Sequence, residues 1–595
     1  MRLGKRLIAL GLAVLMTGSM VACGGGNGDA KGKVKINFMY GGSAADIEMY
    51  NLLIDEFNNT VGAEKGIVVK GIPKSNNMDA VLAQQLPTQS GPDVVSVSDR
   101  FFKKYTKYFV DLKGKVDQEV LDDFYSDMKT RYHYDYEKTT SNTDDPLYGV
   151  PAYSDTTVLY YNKDAMKENG IICISVEEKD LDAFNAGGKD ANGKTKADYG
   201  LSDVTIPAKG FYRSIAPYVP GEDETDGSSW TNLISGEIAV FNDKIAMNWD
   251  EIEDLGMICT VSKNPNSATQ YGYYTEWWFN YGWSVGGDCL EDMTGDGDWT
   301  YAHATEFPNY RVNEGKTYTG IYSGIKYNAG EFIELRDIIA ANPGEEISYS
   351  TENGTTFYYT VNGKRTGARD FSSELANGTF TEFPSIKEAF SRFVYLAGVG
   401  GLNVCPYPNE FSSTNSVNYF TSEKLAMLVE RVSYMSSVEK IMKDEWGVAP
   451  LPQYKIYTSP EDPNCDDIVK KGDISACSDG YGLAISSKSD VQEEALEFLK
   501  WYATEGQKTL ADNGFVSCRT SDAELMLGKL AYPNASVVLD SLQHAKAGDW
   551  WYMPDREWIA NWSQPLNLRV RYGTETLEEY LYSYIDVTNK ALEVY

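Results

Sequence analysis

Histidine is almost missing from this chain. Only His133, His303 and His544 occur in 595 residues, none of them in an HExxH pair. A zinc-peptidase helix, which needs two histidines one turn apart, is therefore excluded. No GxSxG turn occurs either, which removes the usual exposed serine of an α/β-hydrolase. Cysteine is sparse and badly placed. There are eight, with no CxxC spacing, and with Cys23 set aside an odd seven remain, scattered from Cys173 to Cys518. That pattern gives neither a disulfide framework nor a zinc site. Cys465 and Cys477 are spaced to pair across a loop, but buried free thiols are the general expectation. Positive charge is short as well: 54 Lys and Arg stand against 86 Asp and Glu, a net charge of −32. Nucleic acid, held by cationic neutralisation of its phosphates, is excluded as a partner, and an ordinary anionic substrate is disfavoured. Beyond residue 23 no apolar run is long enough to cross a membrane.

What is present begins at the N-terminus. Arg2, Lys5 and Arg6 precede a short apolar run, Leu7 to Met16, and small residues lead to Met20-Val21-Ala22-Cys23. The run is too short to span a bilayer, so 1–23 reads as a cleaved signal. A cysteine directly after small residues is a lipobox, with Cys23 as lipid-bearing mature N-terminus. The alternative is an ordinary secretory signal with an incidental cysteine. Residues 24–33, rich in glycine, form a flexible tether. The expectation is a body held outside a bacterial cell, touching the membrane through this lipid alone. At this length two or more domains are expected. Aromatic residues make up 13% of the chain, including 42 Tyr and 12 Trp. Most must be core, and a minority can line a site for a flat ligand face.

Strands and helices alternate from the start. Val34 to Tyr40 is a strand, Ile47, Tyr50, Leu53, Ile54 and Phe57 recur at helical spacing, Ile67 to Val69 is a second strand, and Gly91-Pro92 opens a third at Val94 to Val97. Such alternation predicts an α/β fold with a doubly wound sheet. Ligands sit beyond the carboxyl ends of such strands, so 41–45 and 98–102 are the segments to inspect. Residues 148–163 read as a crossing into a second lobe. The stretch 295–383 reads as a β-rich insertion with hairpin turns at Asn353-Gly354 and Asn362-Gly363. Ser489 and Gln492 have the spacing of a capping box, and an amphipathic helix closes the chain after Thr574. Gly188 to Thr195 fits GxxxxGK[ST], but no buried strand precedes it and no apolar helical stripe follows, so it is no phosphate loop.

Several segments, in order, resemble the family of extracellular solute-binding proteins that serve ABC sugar importers, the family of maltose-binding protein. They are Gly91-Pro92-Asp93-Val94-Val95 with Asp99-Arg100-Phe101, Tyr148 to Pro151 through Leu159 to Lys163, Glu276 to Phe279 through Gly286-Gly287-Asp288, Lys424 to Met427, Trp446 to Pro452, Gly480 to Ile485, and Glu494 to Leu499. The resemblance implies a two-lobed periplasmic-binding-protein-like fold with a ligand cleft between the lobes. It places 34–152 and 479–528 in the first lobe and 153–478 and 529–595 in the second. It implies capture of an oligosaccharide for an ABC-transporter permease by a monomer with no catalytic residues and no cofactor. A secreted glycoside hydrolase, or a peptide or amino-acid receptor of the same fold, are the alternatives.

Sugar capture needs groups that bond hydroxyls and rings that stack. Asp99 and Arg100 match family positions that bond hydroxyls, and a charged pair at a strand's carboxyl end faces the crevice; a surface salt bridge is the plainer reading. Asp155 matches another such position or caps the hinge, and Tyr153 lies in the same loop. Trp277 and Trp278, if on a strand, face opposite sides, so one stacks on sugar or both are core. Glu276 beside them is a hydroxyl acceptor. Trp551 is a third platform or plain packing. Arg431 and Tyr434 fall within a residue of the family's stacking aromatic. Asp292, Asp296 and Asp298 resemble a calcium loop, although Thr294 and His303 stand at its third and twelfth positions, which favours a solvated turn.

Replacing Cys23 by Ser is expected to shift the protein from the membrane fraction to the medium without changing its melting temperature. Fractionation that leaves the variant on the membrane refutes the lipobox.

Overall fold

The structure is a computed structural model that describes residues 32–593, apart from 43, 75–77, 216–232, 234–235, 296, 343–344, 353–355, 398–399, 407–412, 530–533 and 555. The signal, the tether and Cys23 lie outside the described residues. The chain opens with three strands, β1 (Val34–Gly41), β2 (Ile67–Lys74) and β3 (Val94–Ser98), parallel to one another with β1 in the middle. A helix, Ala44–Asn59, crosses between β1 and β2. Its Tyr50, Leu53, Ile54 and Phe57 are buried as the spacing predicts, and the Phe57 ring meets Phe498 and Trp501 edge-on at 5.0 and 5.3 Å. Strands covered on both faces read as apolar runs, which is why β1 and β3 were visible in the sequence.

The next strand, β4 (Val150–Asn162), is thirteen residues long and buried along all but one of them. Four more strands of the same sheet follow later in the chain: β5 (Tyr271–Tyr274), β6 (Leu425–Arg431), β7 (Trp446–Ala449) and β8 (Ala476–Ile485). The sheet runs β2-β1-β3-β8-β4-β6-β5, with β7 also on β4. Strand β4 therefore serves two lobes. Its first half pairs with β8, which pairs in turn with β3, and its second half pairs with β6 and β7. The pairing of β4 with β8 shifts register between Tyr481 and Gly482. A side chain at Gly482 would sit 2.5 Å from the Tyr132 ring, so the close approach there requires glycine.

Two cores flank this crossing. One collects β1 to β3, Val150 and Ala152, the end of β8 and the helix Gln492–Trp501. The other takes in Tyr125 and then runs from Val158 to Leu592. The stretch 295–383 shares that second core through Tyr301, Tyr310, Phe380 and Phe383. Its turn at Asn362-Gly363 takes the two positive φ values of a tight hairpin, while Asn353-Gly354 falls on undescribed residues. Two segments cross the expected lobe boundaries. Ala511, Val516 and Met526 pack in the second core, and Trp551 packs in the first. The capping box at Ser489 does not form. The helix starts at Gln492 with Val491 as its cap, and the Ser489 hydroxyl instead bonds Asp93 at 2.7 Å. Thr576 and Glu579 make a true capping box on the last helix, Leu577–Leu592. No helix among the described residues is long and apolar enough to cross a membrane.

Asp155 sits at the middle of β4, directly opposite Asp479 on β8, and is only 5% exposed. It accepts the Ser433 N–H at 3.0 Å, tying the crossing strand to the turn after β6. Burial pushes its carboxyl up to about 6, against the pull of the Ser433 hydrogen bond and Arg431. A folded pKa above the unfolded one means that the native state binds the proton more tightly, so stability is lost as pH rises from about 4 through 6. Asp155→Asn cannot ionise. Its stability relative to wild type is expected to grow by up to about 3 kcal/mol between pH 4 and 7. Urea titrations at both pH values check this, and a wild type that gains on the variant as pH rises overturns it.

Candidate functional site

The lobes enclose two adjoining cavities that share Arg100 as a wall. The larger, about 610 Å³, is lined by Arg100, by Glu276 to Phe279, Phe393, Arg431 and Tyr434, and by the segment from Asp549 to Asn567. The smaller, about 370 Å³, lies at the carboxyl ends of β1 and β3 against Gly41, Gly42, Ser98, Arg100 and Phe101, as a parallel sheet dictates. Asp479 and Tyr481 of β8 close its back.

Asp479 organises this wall. Its Oδ2 accepts Arg100 Nη2 at 3.0 Å from the first lobe and Arg431 Nε at 2.5 Å from the second. Each guanidinium also lies over an indole: Arg100 is 4.8 Å from the Trp550 ring centre and Arg431 is 4.9 Å from that of Trp277. Trp550, Arg100, Asp479, Arg431 and Trp277 thus form one continuous chain across the cleft. Trp277 is also stacked at 6.5 Å on Phe279. Glu276 is open to cleft water, yet the surrounding walls raise its carboxyl above the usual range, opposed by Arg431 and Arg100. Tyr434 is half-buried on the same wall. Hydroxyl-bonding groups are therefore interleaved with flat rings around one space. That suits a neutral molecule with many hydroxyls and an apolar face.

Of the ten residues expected here, six are brought together: Arg100, Glu276, Trp277, Trp278, Arg431 and Tyr434. Trp278 belongs to the wall only from behind. It is 2% exposed, with its ring committed to His303 at 4.3 Å and Phe390 at 6.0 Å. The pair is not on a strand. It leads into a one-turn helix, Phe279–Gly282, and the turn splits the two rings between cleft and core.

Four residues are not in the cleft. Asp99 opens the helix Asp99–Tyr105 and is 2% exposed. Its carboxylate turns back to Arg131 Nη1 at 3.2 Å and the Gly480 N–H at 2.9 Å. Arg131 also holds Asp127 and the Ser478 hydroxyl, both at 2.6 Å. Asp99 is thus a brace between helix and hinge strand. Successive helical residues point about 100° apart, so Asp99 and Arg100 could not both face the ligand. Tyr153 packs on Tyr481 at 6.0 Å against the first core. Asp155 caps the crossing as described. Trp551 lies under Lys103, 4.5 Å from its ring centre, and faces a separate groove with Lys546 and Ala547. Its neighbour Trp550 is the cleft ring.

Sequence reasoning missed Asp479 and Trp550. The tandem tryptophans were a visible signal for Trp550. Asp479, inside an apolar strand, offered none. As for the expected calcium loop, both Asp292 oxygens already accept N–H groups, from Gly295 at 2.7 Å and Gly297 at 3.0 Å, and Asp296 lies outside the described residues. All seven cysteines among the described residues are free thiols.

Two family models match the chain, both of them bacterial extracellular solute-binding protein, one over residues 53–271 and the other over 296–509. No curated protein sequence matches it. Solved structures with a similar fold include an ABC substrate-binding protein of Listeria monocytogenes in complex with cycloalternan, at 14% identity, 94% of this chain, 99% of that chain and a TM-score of 0.51. Maltose-bound MalE3 of T. maritima gives the same four values. The cyclic α-maltosyl-1,6-maltose binding protein of Arthrobacter globiformis is 12% identical over 94% of this chain and 99% of its own, with a TM-score of 0.53. With both lobes, the crossing strands and the cleft in place, the chain belongs to the bacterial extracellular solute-binding proteins.

Proposed function

We propose that the protein captures an oligosaccharide between its lobes and delivers it to the permease of an ABC importer. In this reading it works as a monomer, lipid-anchored through Cys23 on the outer face of a bacterial membrane. The observation that carries the proposal is the chain from Trp550 through Arg100, Asp479 and Arg431 to Trp277. It presents two indoles of the second core, one backed by Arg100 of the first lobe and the other by Arg431 of the second, around a space of about 610 Å³. Sugars present just such alternation, with hydroxyl edges and apolar ring faces. The similar folds solved with cycloalternan and with maltose, and that of a cyclic α-maltosyl-1,6-maltose binding protein, support the same ligand class. Ligand touching both lobes favours the closed form, because only contacts made in that form shift the equilibrium toward it.

A thermal-shift screen of starch-derived and plant-derived oligosaccharides identifies the ligand, since binding raises the melting temperature in proportion to RT ln(1 + [L]/Kd). With that sugar, Trp277→Ala and Trp550→Ala are each expected to weaken binding by roughly 1–3 kcal/mol, the range for aromatic stacking on flat ligands. Calorimetry on the folded variants reads this directly, and unchanged affinity in both places the site elsewhere. Trp278→Ala is expected to cost stability instead, about 3–5 kcal/mol for a buried tryptophan. Prolonged incubation of the purified protein with the same sugar should leave its length unchanged. Turnover that persists through repurification would favour a hydrolase.

A further inference from the structure

Behind the cleft wall lies a group of polar atoms that the capture of sugar does not use. Asp288, Cys289 and Asp549 each aim one ligand-type atom at a common point, and these atoms lie within 4.8 Å of one another. Cys289 is fully buried and Asp549 is 4% exposed. The Oδ1 of Asp549 has no hydrogen-bond partner although it is shielded from water. A buried, unpartnered carboxylate oxygen is costly, and a second carboxylate beside it, that of Asp288, adds repulsion to that cost. Lys546 acts on Asp288, while no cation among the described residues pairs with Asp549.

We propose that Asp288, Cys289 and Asp549 form a structural site for a thiophilic divalent cation of the zinc class. Two carboxylate oxygens and one thiolate are a mixed donor set that suits zinc, whereas calcium and magnesium take oxygen alone. The surroundings fit a metal's outer shell. Asp288 is oriented by the Tyr552 hydroxyl and by the Cys289 N–H at 2.7 Å. Such partners hold ligating carboxylates in place. The thiol proton would leave to solvent as the metal binds. The site would pin the turn Asp549–Trp551 to the segment after Gly287, and so fix the Trp550 wall relative to the Trp277 wall.

The test uses the full chain with zinc(II) or cobalt(II) alone and no sugar, so its outcome is independent of the ligand reading. After chelation and dialysis, about one equivalent of zinc is expected to return, with a rise in melting temperature. Cobalt is expected to give a thiolate-to-metal charge-transfer band. Cys289→Ala should abolish that band and weaken zinc binding tenfold or more, and Asp549→Asn should weaken it similarly. Cys289→Ser, nearly the same size, serves if the alanine variant does not fold. Zinc that leaves melting unmoved, cobalt that binds without the thiolate band, or uptake unchanged in the variants each overturns the proposal.

Discussion

One carboxylate oxygen, on Asp479, receives guanidinium groups from both lobes, and the geometry of the cleft hangs from that contact. Asp479 lies on β8, one of the two strands that the lobes share, so it moves with neither lobe alone. Arg100 and Arg431 are positioned by it rather than by their own long stems. A guanidinium fork fixed at its nitrogens keeps less freedom to lose when a ligand arrives. The indoles of Trp550 and Trp277 lie against these forks and share that order. The platforms are therefore set before any ligand enters. The cost is a second aspartate, Asp155, held directly opposite Asp479 in a dry place and pushed toward its protonated form.

The hinge is braced in the same economical way. Arg131, buried with Asp99 and Asp127 around it, fastens the start of one helix to β8 through the Gly480 N–H and Ser478. Removing one member of such a group strands the others without water, which costs more than the group gains. The brace sits on the side of Asp479 away from the cleft. A cleft wall and a structural anchor thus diverge from neighbouring residues of one strand.

The sequence made the fold legible where physics forces a pattern. Strands β1 and β3 are buried along most of their length and so read as apolar runs, and the topology rule then pointed to Gly41 and Ser98 at their ends. The site was legible only to within one residue. Asp99 and Arg100, Trp277 and Trp278, Trp550 and Trp551 are three adjacent pairs that the backbone splits: one member of each lines the cleft, while the other turns inward in the first two pairs and to a separate groove in the third. Side-chain type announces such a pair. Its direction depends on the local backbone, a helix start in the first case, the entry to a one-turn helix in the second and a tight helical turn in the third. Strand periodicity could not supply that. Asp479 was hidden for another reason, because its partners arrive from positions 379 residues before and 48 residues before it, and pairing at that distance leaves no local trace.

The route of the chain through the shared sheet bears on when this molecule can become itself. Strand β3 is complete at Ser98, but the antiparallel neighbour that seals its open edge ends at Ile485. A growing chain therefore emerges with a first lobe that lacks its closing strand until most of the sequence has been made. Contacts of such long sequence separation form slowly. The same shared strand that joins the two lobes would then also time the completion of the first.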